Sequence, residues 1–364
     1  MTKPVPIAEF TRQPAVCRAR TDEGLPFAID RVAERAAETH RFLRRQWFRA
    51  AIESYGGDPR TVLVERDGTP LLAVPIVPAG PRSLKLVQVP GAYWPFRSFP
   101  VREATPASIY TLALDEIAAH ANALRIGPVY DDDASTAPLL AAARAAGWTV
   151  LPRYIATSFL LDIVAARAAG PWPRTSTLKK NRFHEKHLGA YGRLDWDFHS
   201  GEDWTPRLFD ALADVERASW VDSDTDGRDA KFLKTGHGAF WRAAAADPVL
   251  ADMMWAAVLR VDHRPVAFSF DINTGTRKYA IANSYATWAG KHSPGKLLYY
   301  RNLSRAADDG ITTVDWGAGD GGYKATIGAE QGATIRDWLL LRPGLPATIG
   351  KLFAGVWRRS GNRA

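Results

Sequence analysis

The sequence predicts a mixed α/β protein of two tandem units, each a mixed sheet flanked by helices. Three observations carry this. A β-hairpin pattern occurs twice and aligns without gaps: Leu63, Val64, Asp67, Pro70 and Leu71 against Val258, Leu259, Asp262, Pro265 and Val266. Each copy is preceded by helical segments and followed by strand, helix, strand. The 364 residues also exceed what one hydrophobic core ordinarily organises.

Residues 28–56 carry apolar positions at three- and four-residue steps and predict a helix. Two β-rich runs then flank Asp67-Gly68, a hairpin turn signal. Residues 84–89 read as a strand, followed by the aromatic loop AYWPFRSFP. Further signals are a helix over 106–123, a strand at ALRIGPVY, a helix over 136–147 and a strand at RYIATSFLLDI. The Ala-rich segment VAARAAGPWP breaks the pattern, which places the boundary between residues 1–165 and 166–364. Beyond it, helical signals lie at 174–189, 204–220 and 230–246. The second hairpin follows, then a strand ending near Tyr285, a helix over 295–309, the strand TTVDWG, a Gly-rich loop and the strand TIRDWLLL.

The net charge of +8 favours anionic partners such as CoA phosphates, tRNA or a membrane surface. The basic clusters Arg41–Arg49, Arg174–His187 and the tail WRRSGNRA read first as solvated helix faces. The single cysteine, Cys17, excludes an internal disulfide framework and a cysteine-rich zinc module. No stretch approaches the ~20 apolar residues of a membrane span, and Met1–Phe10 lacks a signal-peptide run. The expectation is a soluble, cytoplasmic protein.

The best chemical feature is His292-Ser293-Pro294-Gly295, a small-residue turn between a strand and a helix. A helix start offers free N–H groups and a positive dipole end, and Lys291 and Lys296 add charge, so the turn suits a pyrophosphate. Taken alone it reads equally as a plain turn with Ser293 as the cap. Other motifs fail on inspection. Gly290–Leu297 departs from a P-loop at one position, with Leu297 where the Mg²⁺-binding hydroxyl belongs. Gly317–Gly322 matches G-x-G-x-x-G but leaves no room for a doubly wound sheet after it, so it reads as a loop whose glycines let backbone approach a ligand. Asp222, Asp224 and Asp226 begin an EF-hand pattern that ends on Leu233 instead of Glu. His184 and His187 sit among lysines and arginines, which disfavours a metal. Asp131-Asp132-Asp133 reads as a helix cap, and no nucleophile elbow is present.

With helix RTSTLKKNRFHEKHL, then ERASW, the hairpin with Pro265-Val266-Ala267-Phe268, a strand, SPGKLL and DWGAGDGGYKATIG, the C-terminal half resembles the GNAT-fold acetyltransferases of the CelD-like (cellulose-biosynthesis) group. These are relatives of the Fem-type peptidoglycan aminoacyltransferases, which also carry two GNAT-like domains. The resemblance covers most of residues 45–340 as architecture. It is specific at SPG before a helix and at D-[aromatic]-G-x-G-x-x-x-YK. It implies a CoA pyrophosphate at Ser293, Pro294, Gly295, Lys296 and Leu297. It implies a pantetheine arm along Asn283, Ser284 and Tyr285, and an acceptor side at Asp315–Lys324. One departure is that the phosphate loop is poorer in glycine and basic residues than the family's usual pattern.

Acetyl-CoA or another acyl-CoA is the implied co-substrate, with no metal. On this expectation Asp315 or Asp320 is the base, Tyr323 protonates the leaving thiolate, and Lys324 binds an acceptor carboxylate or steadies the oxyanion. The N-terminal unit has no counterpart to SPG and is expected to bind no donor. Its Tyr93, Trp94, Phe96 and Arg97 would either complete the acceptor cleft or pack between domains. Three functions follow: an acyl-CoA-dependent N- or O-acyltransferase on a polysaccharide, cell-envelope or small-molecule precursor; an aminoacyl-tRNA-dependent Fem-type transferase; or a silent GNAT-like binding module. DNA is not an expected partner, whereas peripheral membrane contact is open.

Overall fold

A computed structural model describes residues 15–91, 96–221, 227–319 and 322–362. Its strands are β1 (Cys17–Glu23), β2 (Arg60–Arg66), β3 (Thr69–Ala79), β4 (Leu86–Gln88), β5 (Ala123–Tyr130), β6 (Thr149–Asp162), β7 (Leu194–His199), β8 (Met254–Val261), β9 (Arg264–Thr274), β10 (Arg277–Tyr285), β11 (Thr313–Ala318) and β12 (Glu330–Leu341). They form one sheet in the order β1-β2-β3-β4-β5-β12-β6-β11-β10-β9-β8-β7. Matching the first six strands to the last six makes this order identical from either end. β4–β5 and β10–β11 are the parallel pairs, and the other neighbouring pairs are antiparallel. The tandem α/β architecture expected from the repeated hairpin is present.

The duplication extends to single hydrogen bonds. Asp67 and Asp262 open their turns with φ of 48° and 46°. Asx residues tolerate this left-handed region better than most. The Asp67 carboxylate accepts the Val16 N–H at 2.8 Å, and the Asp262 carboxylate accepts the Arg193 N–H at 2.8 Å. Each turn thereby fixes the start of an edge strand, β1 or β7. Both hairpins carry a bulge at the equivalent place, skipping Leu71 and Val266. The edge strands β1 and β7 are additions to the sequence reading, as is the helix Leu345–Arg359.

The last strand of each half is exchanged. β12 lies between β5 and β6, and β6 lies between β12 and β11. A cut at 165/166 therefore divides the chain between strands of one continuous sheet. The joint is closed by an ion triad. Asp337 on β12 has no exposed surface and accepts from Arg125 Nη2 on β5 at 2.6 Å and from Arg153 on β6. Arg97 feels the same cluster: burial and the nearby Arg125 pull its pKa down.

Two helical expectations are corrected. Residues 28–56 form helix Ala28–Ala33, a turn at Glu38–His40 and helix Arg45–Tyr55. Asp30, within the first helix, accepts the Arg45 N–H with its carboxylate at 2.8 Å and so ties the start of the second helix to the first. In the 230–246 segment the helix starts only at Gly238. Before it, the buried Glu216 carboxylate gathers the amides of Lys231, Phe232 and Leu233 at 2.7, 2.8 and 3.2 Å. Trp47 from the first half packs edge-on against Phe240 and Trp241 from the second, with centroids 4.8 and 5.8 Å away. One core is thus shared across the joint.

Replacing Asp337 by Ala should leave the part-buried Arg125 and Arg153 without their shared carboxylate, with Arg97 close to Arg125. We expect a loss of about 3–5 kcal/mol in urea unfolding. A loss below about 1 kcal/mol, the scale of an exposed ion pair, would show that the triad does not hold the exchange.

Candidate functional site

β10 and β11 pair in parallel only from Arg277–Thr313 to Tyr279–Asp315. Beyond that they separate. β10 also carries a bulge that skips Ile281 in its ladder with β9. The backbone of Ala280–Asn283 thus borders a gap with no β11 partner, and an extra bulge residue leaves its own amide out of the ladder. The gap opens into a cavity of about 320 Å³ lined by Phe96, Tyr130, Tyr279–Asn283, Asp315–Gly319, Tyr323 and Lys324.

Helix Pro294–Asp308 bridges the two strands, and its N-terminus lies at the end of β10. Ser293 precedes it at φ 51°, ψ 47°, with no side-chain cap. The first intrahelical bond runs from Leu297 N–H to Ser293 C=O at 3.0 Å, so the amides of Gly295 and Lys296 are first-turn orphans. Pro294 at the start has no N–H to leave unpaired. Gly295 is required by closeness: a Cβ there would lie 2.6 Å from Asn283 Oδ1 and 3.0 Å from the Tyr285 ring. The helix is pinned deeper by a buried network. Asn302 accepts from Trp255 Nε1 at 2.8 Å and donates to Asp271 at 2.7 Å, and Asp271 also pairs with the buried Lys278 at 2.9 Å.

Cations converge on this helix start from two elements. Burial and the charge of Lys180 lower the Lys296 pKa. His184 is pulled down by burial and then by Lys180, Lys296, His292 and His187. His292 is lowered by desolvation and by Lys291 and His187. His184 Nδ1 and His292 Nε2 have no hydrogen-bond partner among the described residues. Such a cluster resists its own positive charge until an anion relieves it.

At the other end of the cavity Asp315 is 2% exposed and accepts the Gly317 N–H at 2.8 Å. Burial raises its pKa, against the opposing pull of that bond, the neighbouring Tyr130 hydroxyl, Arg277 and Lys324. Tyr279 is pushed up in turn, chiefly by burial. Lys324, 3% exposed, donates to the carbonyls of Trp316, Gly317 and Ala318 at 2.8, 3.2 and 2.8 Å. Its ammonium folds the Asp315 loop over itself, and engaging an acceptor carboxylate would mean giving up one of these bonds. Tyr323 is 40% exposed, with its ring 5.9 Å from Trp316.

The residues named from sequence divide as follows. Asn283 lines the cavity, and its amide lies 3.4 Å from the Gly295 carbonyl. The Ser284 hydroxyl is buried with no partner among the described residues. Tyr285 packs beside Gly295. Leu297 is core. Phe96 lines the cavity and meets Tyr279 edge-on at 5.0 Å. Arg97 donates to the Gly91 carbonyl at 3.1 Å. Asp320, Tyr93 and Trp94, with Asp222, Asp224 and Asp226, lie outside the described residues. Sequence reasoning missed Tyr130, Tyr279 and Arg277. Tyr130 ends β5 of the first half and lines this cavity because both halves share one sheet. The basic character of helix Thr175–Leu188 is plain in the sequence, whereas its convergence with Lys296 is a long-range feature.

Residues 175–325 match the acetyltransferase (GNAT) domain family. No curated protein is significantly similar in sequence. Among solved structures, FemX superposes with a TM-score of 0.60 at 12% identity, covering 90% of this chain and 97% of that one. The C-terminal domain of a candidate lysylphosphatidylglycerol synthetase from Agrobacterium fabrum gives 0.54 at 15%, covering 93% and 97%. L-PGS from Bacillus licheniformis gives 0.52 at 12%, covering 87% and 96%. At such identities the likeness is one of fold. The sheet, its duplication and the matched segment together make this a tandem GNAT-type acyltransferase fold.

Proposed function

We propose that the chain is an acyltransferase that moves an acyl group, acetyl in the simplest case, from acyl-CoA to an amine or hydroxyl of a polysaccharide, cell-envelope or small-molecule precursor. The observation that carries this reading is the separation of β10 and β11 after Tyr279–Asp315, with a helix start and its cations at the far end of the gap. A pantetheine arm carries amides, and the free edge at Ala280–Asn283 offers matching backbone groups, as a sheet edge does to an added strand. The pyrophosphate would rest on the Gly295 and Lys296 amides, with Lys180, Lys291 and the histidines around it.

In this reading residues 166–364 hold the donor and residues 1–165 do not. The equivalent opening beside β5 is occupied by the chain itself: the Arg97 N–H bonds the Pro128 carbonyl, and Phe96 and Phe99 are buried there. The first half instead supplies Tyr130 and Phe96 to the acceptor wall. The acceptor nucleophile attacks the thioester carbonyl, and a tetrahedral oxyanion forms. Asp315, made more basic by burial, takes the nucleophile's proton. The thiolate leaves and is protonated by Tyr323. Lys324 acts as a positioning residue, because it holds the Trp316–Ala318 carbonyls and hence Asp315.

A second reading, transfer from aminoacyl-tRNA, has one observation in its favour. Helix Thr175–Leu188 exposes Lys179, Arg182 and Lys186 beyond the cations at the helix start, with Phe183 60% exposed. A tRNA donor would bind with a steep loss of affinity as salt rises, whereas acyl-CoA would not need these residues.

Asp315→Asn should cut the transfer rate about a hundredfold or more at unchanged donor affinity. It should also remove the limb on which rate rises with pH as Asp315 ionises. Retention of the wild-type rate by this variant excludes Asp315 as the base. Gly295→Val should abolish acetyl-CoA binding by forcing the helix off Asn283 and Tyr285; unchanged affinity places the donor elsewhere. Donor binding should also take up protons, since an anion raises the depressed pKa values of His184 and His292 toward and past the ordinary value of about 6.5. Affinity therefore rises as pH falls. Calorimetry in buffers of different ionisation heat reads the uptake, and zero uptake contradicts an anion at this cluster.

A further inference from the structure

The helix Leu345–Arg359 presents an apolar stripe that no other described residue covers. Leu345, Ile349, Leu352, Phe353 and Val356 are 71, 46, 79, 60 and 58% exposed. They recur at three- and four-residue steps, so they share one side of the helix. The other side is fixed to the sheet. Gly350 lies against Leu341 with no room for a Cβ. Trp357 donates to the Leu151 carbonyl at 3.2 Å, and the Arg153 guanidinium stacks 4.2 Å over its ring. Beyond the helix, Asn362 bonds the Tyr154 and Ile155 carbonyls at 3.1 and 2.7 Å. The stripe is therefore held outward by a docked helix.

The charge around it is of one sign. From Arg342 to Ala364 the sequence has no Asp or Glu, and it has Arg342, Lys351, Arg358, Arg359 and Arg363. Lys351, Arg358 and Arg359 are exposed and without a carboxylate partner among the described residues. At 15 residues the helix is too short to span a bilayer, and no helix among the described residues is long and apolar enough to cross one. A short helix with an apolar side and basic flanks lies in the plane of an anionic lipid surface. Pairing with a second copy would bring the same basic residues together across a twofold axis. RNA would leave the apolar stripe without a partner.

We propose that helix Leu345–Arg359 is a membrane-surface anchor that seats this protein on anionic lipid, with Leu352, Phe353 and Val356 inserted at the interface and Lys351, Arg358 and Arg359 at the headgroups. The placement has a consequence for access. A groove lined by Tyr154, Thr157, Phe159, Ala318, Gly319 and Asn362 links the end of this anchor to the loop after Asp315. A surface-borne molecule would meet that loop from the membrane side. The anchor itself does not depend on the acyltransferase reading.

The test is co-sedimentation of the full chain with phosphatidylcholine vesicles, with and without phosphatidylglycerol. The wild type should bind the anionic vesicles at least about tenfold more tightly than the neutral ones. L352S/F353S/V356S should lose binding to both. K351E/R358E/R359E should lose the preference for phosphatidylglycerol. Retention of the wild-type unfolding midpoint by both variants shows that the fold is intact. The proposal is overturned if the wild type binds neither vesicle, or if the apolar triple variant binds as the wild type does. It is also overturned if the stripe instead drives dimerisation in gel filtration, or if the charged variant loses tRNA binding while vesicle binding is unchanged.

Discussion

The exchange of β6 and β12 is the constraint on which the rest of the molecule depends. Each half lends its last strand to the other, and Asp337 with Arg125 and Arg153 closes the joint from three strands at once. Burying a carboxylate is costly without full compensation, and two guanidinium groups supply it here. The exchange makes β6 the neighbour of β11, so the strand carrying Asp315 is braced by the first half. The joined sheet also places Tyr130 and Phe96 at the cavity where β10 and β11 part. The site is therefore a property of the joined halves, although its helix start and acidic group come from the second.

Two polarities meet across that site. At one end the first-turn amides of helix Pro294–Asp308 and the Lys180, Lys296 and histidine cluster form a positive field that burial and mutual repulsion have already strained. At the other, Asp315 is a carboxylate raised by burial and held by a backbone amide. An anionic donor relieves the first, and a nucleophile losing a proton suits the second. The buried Asn302–Asp271–Lys278 network keeps the distance between them fixed by tying the helix to β8, β9 and β10.

Much of this was legible in the sequence, because hairpin and helix signals are local. The Asp67 and Asp262 turns, Pro70 and Pro265, the SPG helix start and the strand carrying Asp315 are all found where their patterns place them. What was not legible is long-range. No local signal says that β12 pairs with β5, that Lys324 turns inward to three carbonyls, or that Lys180 faces Lys296. The edge strands β1 and β7 are short and part-buried, and their partners are fixed by bonds to the turn aspartates, which periodicity does not reveal. The helix Leu345–Arg359 is not evident from the basic tail WRRSGNRA, which overlaps only its last turn, and its outward direction is set by Gly350 and Trp357 against the sheet.

The central proposal is that an acyl-CoA donor occupies the gap between β10 and β11 with its phosphates on the helix start. Amide hydrogen exchange with and without acetyl-CoA tests it most directly. The account predicts slowed exchange at Ile281–Asn283, Gly295 and Lys296, with the β4–β5 region unchanged. Protection beside β4 and β5 in its place, or none at Gly295 and Lys296 under saturating acetyl-CoA, would contradict it.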